Sequence, residues 1–397
     1  MPRPPQVGDE FRPREKIGQA SNRKIRYIKY MAIITYKYRL KDGNTAKKLK
    51  IMAGSVNYVW NFCNDVLRSN WKKSRKYTNE NELHALTKGA SKELPINSQT
   101  IQATYQELLL RTKQFKKQLR FRTAKGGKNL GWVPFKGQTV DFCGDYVVYD
   151  KQKFRLWQHR RLPKGSVIKT GSFSEDSRGR WYVNLQVEIP DSEYYLEASP
   201  SNSAVGIDPG TKTVMTLSNG VKYERDSITK KYETGLANAQ RRKKKRRAKK
   251  IHAKIKNSRL DFNHKASHEI AKNNNLIFFG NASSRKLVKT RMAKGVLDSG
   301  WGQIKTFLAY KTIRRQGRMI VQNEQNSTVT CSDCSRKTGP RGLSGLRVRE
   351  WKCEGCGSIH DRDINSAINI LRQGHLTLRE PGLKAGQTRE APPSRRS

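Results

Sequence analysis

The first half of the chain begins with a strand pattern and continues with two helical patterns. Apolar and polar residues alternate from Ile33 to Leu40, which predicts a β-strand, and Lys41-Asp-Gly-Asn supplies a turn after it. Apolar residues then recur at spacings of three and four, which predicts a helix with one buried face: Met52, Val56, Val59, Cys63 and Val66. A second helix is predicted from a similar stripe: Ile101, Tyr105, Leu108, Phe115 and Leu119. Three aromatic residues of the first helix are expected in the core rather than as base-stacking platforms: Tyr58, Trp60 and Phe62.

Residues 139–190 change to short β-rich runs separated by Gly, Asp, Lys and Pro turns. Such runs predict an antiparallel barrel or sandwich. The strand at 33–40 is its natural partner, so the two helices are predicted to be an insertion into a β-domain.

The second half alternates strand and helix patterns. An apolar strand ends at Asp208, a Pro-Gly turn leads to a second strand, and NLIFFG at 275–280 predicts a buried strand. An amphipathic helix runs from Gly300 to Gly317, the strand RMIVQNE follows, and a last helix starts after Asp363. This order predicts a mixed α/β layer fold.

The net charge of the chain indicates the class of its binding partner. The 397 residues contain 81 Lys and Arg against 33 Asp and Glu, a net charge of +48, which exceeds what solubility requires and predicts a polyanionic partner. No apolar stretch approaches the ~18 residues of a membrane span, and no secretion signal is apparent. We therefore expect a cytoplasmic, nucleoid-associated prokaryotic protein without membrane contact.

Two basic groups are the candidates for gripping nucleic acid. One studs the second predicted helix and its end: Lys113, Lys116, Lys117, Arg120 and Arg122. The other is a run that is either a solvated arm or a helix laid along nucleic acid: Arg241, Arg242, Lys243, Lys244, Lys245, Arg246 and Arg247.

Four of the six cysteines form two CxxC pairs near the C-terminus: Cys331, Cys334, Cys353 and Cys356. Two such pairs, separated by eighteen residues, supply four thiolates to one tetrahedral Zn²⁺, which predicts a structural zinc ribbon. A redox dithiol is the alternative. Cys63 and Cys143 are expected to be buried thiols.

Acidic residues are scarce, so their positions are informative. Asp208 ends a buried strand, and Asp363 stands at the start of a helix in HDRDINSAINIL. Carboxylates beside a basic groove suit Mg²⁺ and phosphodiester hydrolysis. The alternatives are a turn residue for Asp208 and a helix N-cap for Asp363.

Four separated motifs carry a family resemblance: GIDPGTK at 206–212, GWGQIKTFLAYK, CSDC with CEGCG, and HDRDINSAINIL. In this order they resemble the transposon-encoded TnpB nucleases and their relatives, the compact type V CRISPR effectors, over roughly residues 31–373. YKYRL and NYVWNFCN match the family's N-terminal half more weakly. The resemblance implies a multi-domain α+β protein that is an RNA-guided, Mg²⁺-dependent DNA endonuclease reading a short motif beside its target.

The implied architecture has a β-barrel wedge domain with a helical recognition insertion, followed by an RNase H-like RuvC domain interrupted by a zinc ribbon. The expected boundaries are a disordered leader (1–30), the wedge (31–47 and 131–200), the insertion (48–130), the RuvC domain (201–328 and 359–375), the ribbon (329–358) and a flexible tail (376–397).

One position departs from the family pattern. The acidic residue that usually closes the middle RuvC strand is replaced by Gly280. Either the nuclease is inactive and the protein is an RNA-guided DNA-binding repressor, or another carboxylate has taken the position. Glu324 is the best substitute, because it ends the strand expected beside Gly280, ~4.8 Å away, and glycine clears room for it.

An active enzyme of this kind would use two Mg²⁺ ions, bridged by Asp208, with Glu324 and Asp363 completing the coordination. Its partners would be a guide RNA, of transposon or CRISPR origin, and double-stranded target DNA. A transposase that acts without RNA is a third alternative. The sequence does not distinguish a monomer from a dimer.

Overall fold

The structure is a computed structural model that describes residues 32–41, 43–123, 130–282, 287–290, 293–345 and 347–379. The predicted leader at 1–30 and most of the predicted tail, from residue 380, lie outside the described residues. Within the described ranges, no helix combines the length and apolar character that a membrane crossing requires.

The first half is built on a seven-stranded antiparallel sheet. Its strands are β1 (Ala32–Leu40), β2 (Trp132–Lys136), β3 (Val140–Phe142), β4 (Tyr146–Tyr149), β5 (Gln152–Trp157), β6 (Val167–Glu175) and β7 (Trp181–Ile189). Their order is β2-β6-β7-β1-β5-β4-β3, so the first strand pairs with strands from beyond the helices, as predicted. The edge strands β2 and β3 are joined by the short turn Gly137–Thr139.

Helices α1 (Asn44–Ser74), α2 (Glu80–Thr87) and α3 (Ser98–Phe115) separate β1 from β2. The buried face predicted for α1 is largely confirmed, since Met52, Val56 and Cys63 are all buried in one core with the sheet. The prediction for the aromatic residues is correct for Trp60 and wrong for its neighbours. Tyr58 is 66% exposed and Phe62 is 40% exposed, because a spacing of four puts both on the outer face.

The second predicted helix is shorter than its apolar stripe suggests. It ends at Phe115, where Lys116 adopts a left-handed conformation with φ of 48°. Side chains of α1 then hold the following segment, because Asn64 donates to the Leu119 carbonyl at 3.0 Å and Asn61 donates to the Arg122 carbonyl at 2.6 Å. These hydrogen bonds replace those that further helical turns would have made.

The second half follows a short helix, α4 (Asp191–Tyr194), and contains a five-stranded sheet. Its strands are β8 (Ala204–Pro209), β9 (Thr213–Leu217), β10 (Lys222–Glu224), β11 (Leu276–Gly280) and β12 (Arg318–Gln322). In the order β10-β9-β8-β11-β12 the first three strands are antiparallel, and β8, β11 and β12 are parallel. The predicted mixed α/β layer is therefore confirmed.

Further helices follow α4 in the second half. They are α5 (Ile228–Arg241), α6 (Lys245–Asn273), α7 (Ala293–Ser299), α8 (Trp301–Arg314), α9 (Gly342–Gly345) and α10 (Arg362–Arg379), and a small hairpin pairs β13 (Glu350–Lys352) with β14 (Ile359–Asp361). Helices α6 and α8 share one core with the sheet, to which Ile270, Ile304 and Leu308 contribute. Helix α10 covers the other face and runs to Arg379, past the predicted domain end at 375.

Close contact between α10 and the sheet depends on two glycines. A Cβ at Gly206 would lie 2.1 Å from the Ala367 carbonyl, and one at Gly374 would lie 2.2 Å from the Phe278 ring. Both glycines therefore let the helix lie directly on β8 and β11.

Candidate functional site: a thiolate cluster beside a carboxylate edge

The four cysteines of the two CxxC pairs meet in one place. Their sulfur atoms all lie within 4.8 Å of one another, as a tetrahedral metal site requires, so this cluster could hold a zinc ion. The Thr338 hydroxyl contacts the sulfur of Cys353 at 3.1 Å and lowers the pKa of that thiol. A lowered pKa favours the thiolate, the form that binds metal.

A histidine that the motif analysis left without a role completes the surroundings of the thiolates. His360 is buried, its Nε2 lies 3.0 Å from the Sγ of Cys331, and its ring packs on Trp351 with centroids 4.8 Å apart. The spacing of the cysteines carries no signal for this contact, because the antiparallel pairing of β13 with β14 creates it.

Two asparagines join the thiolate cluster to α10. Asn365 accepts a hydrogen bond from the Ser332 backbone N–H at 2.8 Å and donates to the Thr330 carbonyl at 2.9 Å. Asn369 donates to the carbonyls of Thr330, at 2.7 Å, and Ser327, at 2.9 Å. These bonds tie the loop that carries Cys331 to the helix that carries Asp363.

The carboxylates lie at the carboxyl edge of the parallel strands, on the face that α10 covers. Gly206 contacts α10, so Asp208, two residues on, points to the same side. Phe278 also contacts α10, and Gly280 follows it by two. Gly280 pairs with Gln322 of β12, as the predicted strand neighbourhood requires.

The pKa of Asp208 is affected by both of the other candidate acids. The Asp208 side chain lies deep among protein atoms, although part of the residue is accessible to solvent. Burial raises the pKa of its carboxyl to about 7, and the negative charges of Asp363 and Glu324 add to this shift. A hydrogen bond from Ser366 opposes the shift without cancelling it. An acid held this far from its ordinary pKa of 3.8 is typical of a functional site.

The Glu324 carboxylate occupies the space that a side chain at 280 would fill. A Cβ built on Gly280 would lie 2.8 Å from Glu324 Oε2, 3.0 Å from Pro209 Cδ and 3.1 Å from Ile370 Cδ1. Burial raises the pKa of Glu324, and the nearby Lys305 opposes that shift. The Lys305 ammonium lies 3.4 Å from Asn281 Oδ1 and 5.3 Å from the Phe279 ring centroid.

Asp363 is not the N-cap of its helix. Asp361 has that role, because its Oδ1 accepts the backbone N–H groups of Asp363 and Ile364, each at 3.0 Å. The Lys222 ammonium holds Asp361 by an ion pair of 2.6 Å. The Asp363 carboxylate is thus left free of capping and meets the Arg349 guanidinium at 3.1 Å.

The three carboxylates are less tightly gathered than the thiolates. Among the described residues, the cysteine set alone brings three or more metal-binding side chains within 4.8 Å of one another. Mutual repulsion of three negative groups opposes closer approach. The donor set itself fits Mg²⁺, which prefers carboxylate oxygens.

The predicted nucleic-acid residues have different environments. Lys113, Lys116, Lys117 and Arg120 are exposed. Arg122 is not free, since its guanidinium stacks between Trp60, at 5.2 Å, and Trp132, at 5.0 Å, and burial lowers its pKa to about 10.

The second basic group does not form one straight helix. Helix α5 ends at Arg241 and α6 begins at Lys245, with Lys243 at φ of 51° in the turn between them. All seven residues of this group are exposed: Arg241, Arg242, Lys243, Lys244, Lys245, Arg246 and Arg247.

Comparisons with known proteins relate this chain to RNA-guided nucleases. Residues 301–370, which include Glu324, Asp363 and all four cysteines, match the family described as Cas12f1-like, TNB domain. A protein of Streptomyces pristinaespiralis, named as a candidate RNA-guided DNA endonuclease, is 33% identical over 229 residues, which cover 54% of this chain and 55% of that one. The chain thus spans about half the length of that relative.

Two further matches extend over most of the chain. InsQ of Escherichia coli (strain K12), also named as a candidate RNA-guided DNA endonuclease, is 26% identical over 386 residues, covering 86% of this chain and 92% of that protein. A Cas12f1 chain solved in complex with sgRNA and target DNA shares the fold, with a TM-score of 0.52 and 13% identity over 83% of each chain.

Proposed function

We propose that this chain is an RNA-guided DNA endonuclease of the TnpB type whose catalytic glutamate is Glu324, since its sequence is similar to proteins with that name. The observation that carries the proposal is the pair formed by Gly280 and Glu324. A glycine stands where the family pattern has an acid, and the carboxylate of Glu324 fills the space that this glycine leaves.

The architecture proposed with this function keeps the domains expected from the resemblance, with the C-terminal boundary moved. The seven-stranded sheet corresponds to the wedge domain and α1 to α3 to the recognition insertion. The five-stranded sheet corresponds to the RuvC domain, interrupted by the cysteine-bearing ribbon and completed by α10 up to Arg379.

Asp208, Glu324 and Asp363 would hold the Mg²⁺ ions, and Cys331, Cys334, Cys353 and Cys356 would hold one structural Zn²⁺. When bound, Mg²⁺ supplies an activated water and stabilises the oxygen that leaves phosphorus. The raised pKa of Asp208 supports this assignment, because a carboxyl that is buried and lies near two other acids is stabilised in its charged form by a cation.

The neighbouring residues of the chain have supporting tasks in this proposal. Lys305 offsets the charge of Glu324 and keeps its carboxylate at the sheet edge. Asp361 caps α10, so Asp363 stays available to a metal. The asparagine bonds to the ribbon fix the start of α10, and with it Asp363.

Guide RNA and double-stranded target DNA are the proposed partners. The net charge of +48 supports a polyanionic partner, and the exposed basic residues of α3 and of the α5–α6 turn are candidates for contacts with the heteroduplex backbone.

Cleavage of a plasmid tests the proposal. The protein is purified with the RNA transcribed beside its own gene, and plasmids carrying the matching target and a library of flanking sequences are incubated with Mg²⁺. We expect cleavage that Glu324→Gln abolishes while target binding persists. Glu197→Gln, an exposed glutamate in the linker after α4, is the matched control and should cut normally.

A repressor without nuclease activity is the second candidate function, which the absence of an acid at 280 favours. Guide-dependent binding without cleavage at any metal concentration would establish it and overturn the nuclease. Cleavage that survives Glu324→Gln but is lost with Asp208→Asn would retain the nuclease and refute the relocated glutamate. RNA that fails to copurify would favour the transposase alternative.

A further inference from the structure

A basic cavity opens beside the turn that follows Asp208. It has a volume of about 640 Å³, and the residues that line it come from the β8–β9 turn, the start of α5 and α7. Four of them are cationic: Lys212, Arg225, Lys230 and Lys231. The three lysines are exposed, and the described residues offer none of them a hydrogen-bonded carboxylate.

The acidic groups at this cavity do not cancel its charge. Asp298 is buried and already bound, since it accepts from Arg259 at 2.7 Å and from the hydroxyls of Thr229, at 2.8 Å, and Ser227, at 3.0 Å. Asp226 is exposed at the rim and is the remaining negative charge. Four cations thus face one uncommitted carboxylate.

Arg225 lines the cavity and adds a fixed positive charge to its wall. Its Nη2 donates to the Asp298 carbonyl at 2.5 Å, but its Nε and Nη1 have no hydrogen-bond partner among the described residues. Its guanidinium packs on the Phe262 ring at 4.8 Å, which fixes its position. Both nitrogens are enclosed by protein, so Arg225 attracts an anion in the cavity through its charge and not through a direct hydrogen bond.

The turn that carries Lys212 is held rigidly near the carboxylate edge. Trp301 donates from its indole N–H to the Gly210 carbonyl at 2.9 Å, and the Gly210 N–H donates to the Val214 carbonyl at 3.2 Å. Lys212 is four positions after Asp208, so their backbones are at most ~14 Å apart, about four steps of a stacked nucleic-acid strand.

We propose that this cavity binds backbone phosphates of the single DNA strand that enters the carboxylate edge, a few nucleotides from the phosphate that is cut. The inference rests on the proposed function for the choice of DNA over RNA. Lys212, Lys230 and Lys231 hold the phosphates, with the partial positive charge of the α5 N-terminus behind them.

Salt dependence of binding tests the cavity independently of cleavage. The full protein–RNA complex, carrying Asp208→Asn so that DNA is not cut, is titrated with a short labelled single-stranded DNA over a salt series. Each lost phosphate contact should make the slope of log K against log salt shallower by about 0.7. We expect Lys212→Ala/Lys230→Ala/Lys231→Ala to reduce the slope by about 2.

Matched variants decide whether the effect belongs to the cavity. Lys76→Ala/Lys151→Ala/Lys164→Ala removes the same charge from exposed positions of the first half and should leave the slope unchanged. Asp226→Asn should tighten DNA binding, because it removes the rim carboxylate. An unchanged slope in the cavity variant, or an equal loss in the control, would overturn the proposal.

Two further outcomes separate this inference from the proposed function. Loss of binding to an RNA oligonucleotide alone, with DNA binding intact, would refute a DNA-strand site. If the cavity variant cuts its target normally and the salt slope is unchanged, the DNA-binding role of the cavity is refuted and the proposed nuclease function is retained. If the salt slope changes but the wild-type protein never cuts DNA, the cavity proposal is retained and the nuclease function is refuted.

Discussion

The thiolate cluster and the carboxylate edge are connected by hydrogen bonds between the Cys331 loop and α10, yet they are organised differently. The four sulfur atoms lie within 4.8 Å of one another. The carboxylates lie on two strand ends and the start of α10, and burial together with the charges of Asp363 and Glu324 raises the pKa of Asp208.

The difference shows how local and long-range order contribute to a metal site. Each CxxC pair forms within one tight turn, so half of the thiolate cluster needs no tertiary structure. The carboxylates meet only after β8, β11, β12 and α10 have assembled. We therefore expect the thiolate cluster to remain intact when the carboxylate edge is damaged. We expect the carboxylate edge to be lost when the thiolate cluster is damaged.

Removing a thiolate is the strongest test of that asymmetry. Cys353→Ser should lower the zinc content from about one per chain to near zero and abolish cleavage, because structural zinc sites contribute on the order of 10 kcal/mol of folding free energy. Metal analysis and plasmid cleavage measure the two effects. Asp208→Asn is the counterpart, which should keep its zinc and lose cleavage. Full cleavage by a zinc-free Cys353→Ser protein would contradict the asymmetry.

Filling the space at 280 sharpens the assignment at the carboxylate edge. In Gly280→Ala the new Cβ displaces the Glu324 carboxylate, and a shift of about 1 Å can lower a rate about 100-fold. The double variant Gly280→Glu/Glu324→Ala should recover part of the activity, because it returns a carboxylate to the same space. Initial cleavage rates compare the variants, and Gly302→Ala, where a Cβ meets open space, is the control. Wild-type rates for Gly280→Ala would refute the steric argument.

Stability against pH tests the crowding of negative charge. Because the folded-state pKa of Asp208 is about 7 against 3.8 ordinarily, the native state holds the proton more tightly. The free energy of unfolding should therefore fall as pH rises from about 4 to 7 and stay low above that.

Asp208→Asn removes this penalty. In the absence of divalent cations, the variant should be more stable than the wild type at pH 8 by a few kcal/mol, since one pKa unit corresponds to about 1.36 kcal/mol. At pH 4 the two proteins should have similar free energies of unfolding. Denaturant unfolding measures the difference, and Mg²⁺ should stabilise the wild type alone. A constant difference across pH would show that the shift is absent.

Breaking the tie between the two regions should have a smaller effect on stability. Asn365→Ala leaves the buried Ser332 N–H and Thr330 carbonyl with fewer partners, which costs about 1–3 kcal/mol. Thermal unfolding measures the loss, and the cleavage rate should fall with zinc still bound. Exposed Asn81→Ala is the control. Unaltered cleavage would show that the start of α10 does not depend on the ribbon.

Loss of one surface ion pair is expected to matter least. Lys222→Ala removes the partner of Asp361 but leaves its capping bonds, so we expect about 0.2–1 kcal/mol of destabilisation and a small decrease in cleavage. The effect should shrink at high salt. A loss of cleavage as large as that of Asn365→Ala, with only this small destabilisation, would mean that Lys222 contacts nucleic acid as well.

Local patterns predicted most of the fold and the thiolate cluster. Periodic spacings identified β1, α1 and α8, and a short apolar run identified β11. The pairing of β1 with later strands followed from the short β-rich runs at 139–190. The early end of α3 was missed, because the side chains of α1 that hold residues 116–122 are distant in sequence. The exposure of Cys143, expected to be buried, was missed because an isolated thiol in a turn carries no spacing signal.

At the carboxylate edge, sequence suggested which acids to test but not what surrounds them. Gly280 and Glu324 were linked by the predicted strand order, which the pairing with Gln322 confirms. Lys305 and Arg349 carried no recognisable signal, because each acts across elements that are brought together by folding. The capping role of Asp361 is local, since an Asp directly before a helix is a common N-cap, and it was missed because Asp363 was considered instead.

The space at Gly280 also constrains how such a protein can change over generations. Glutamate codons differ from some glycine codons by one base, so an acid can reappear at 280 by a single mutation. With Glu324 in place, that mutant would have two carboxylates competing for one space. A lineage that exchanges one position for the other must therefore pass through either a crowded or an empty intermediate, and selection for cutting would preserve whichever arrangement it already has.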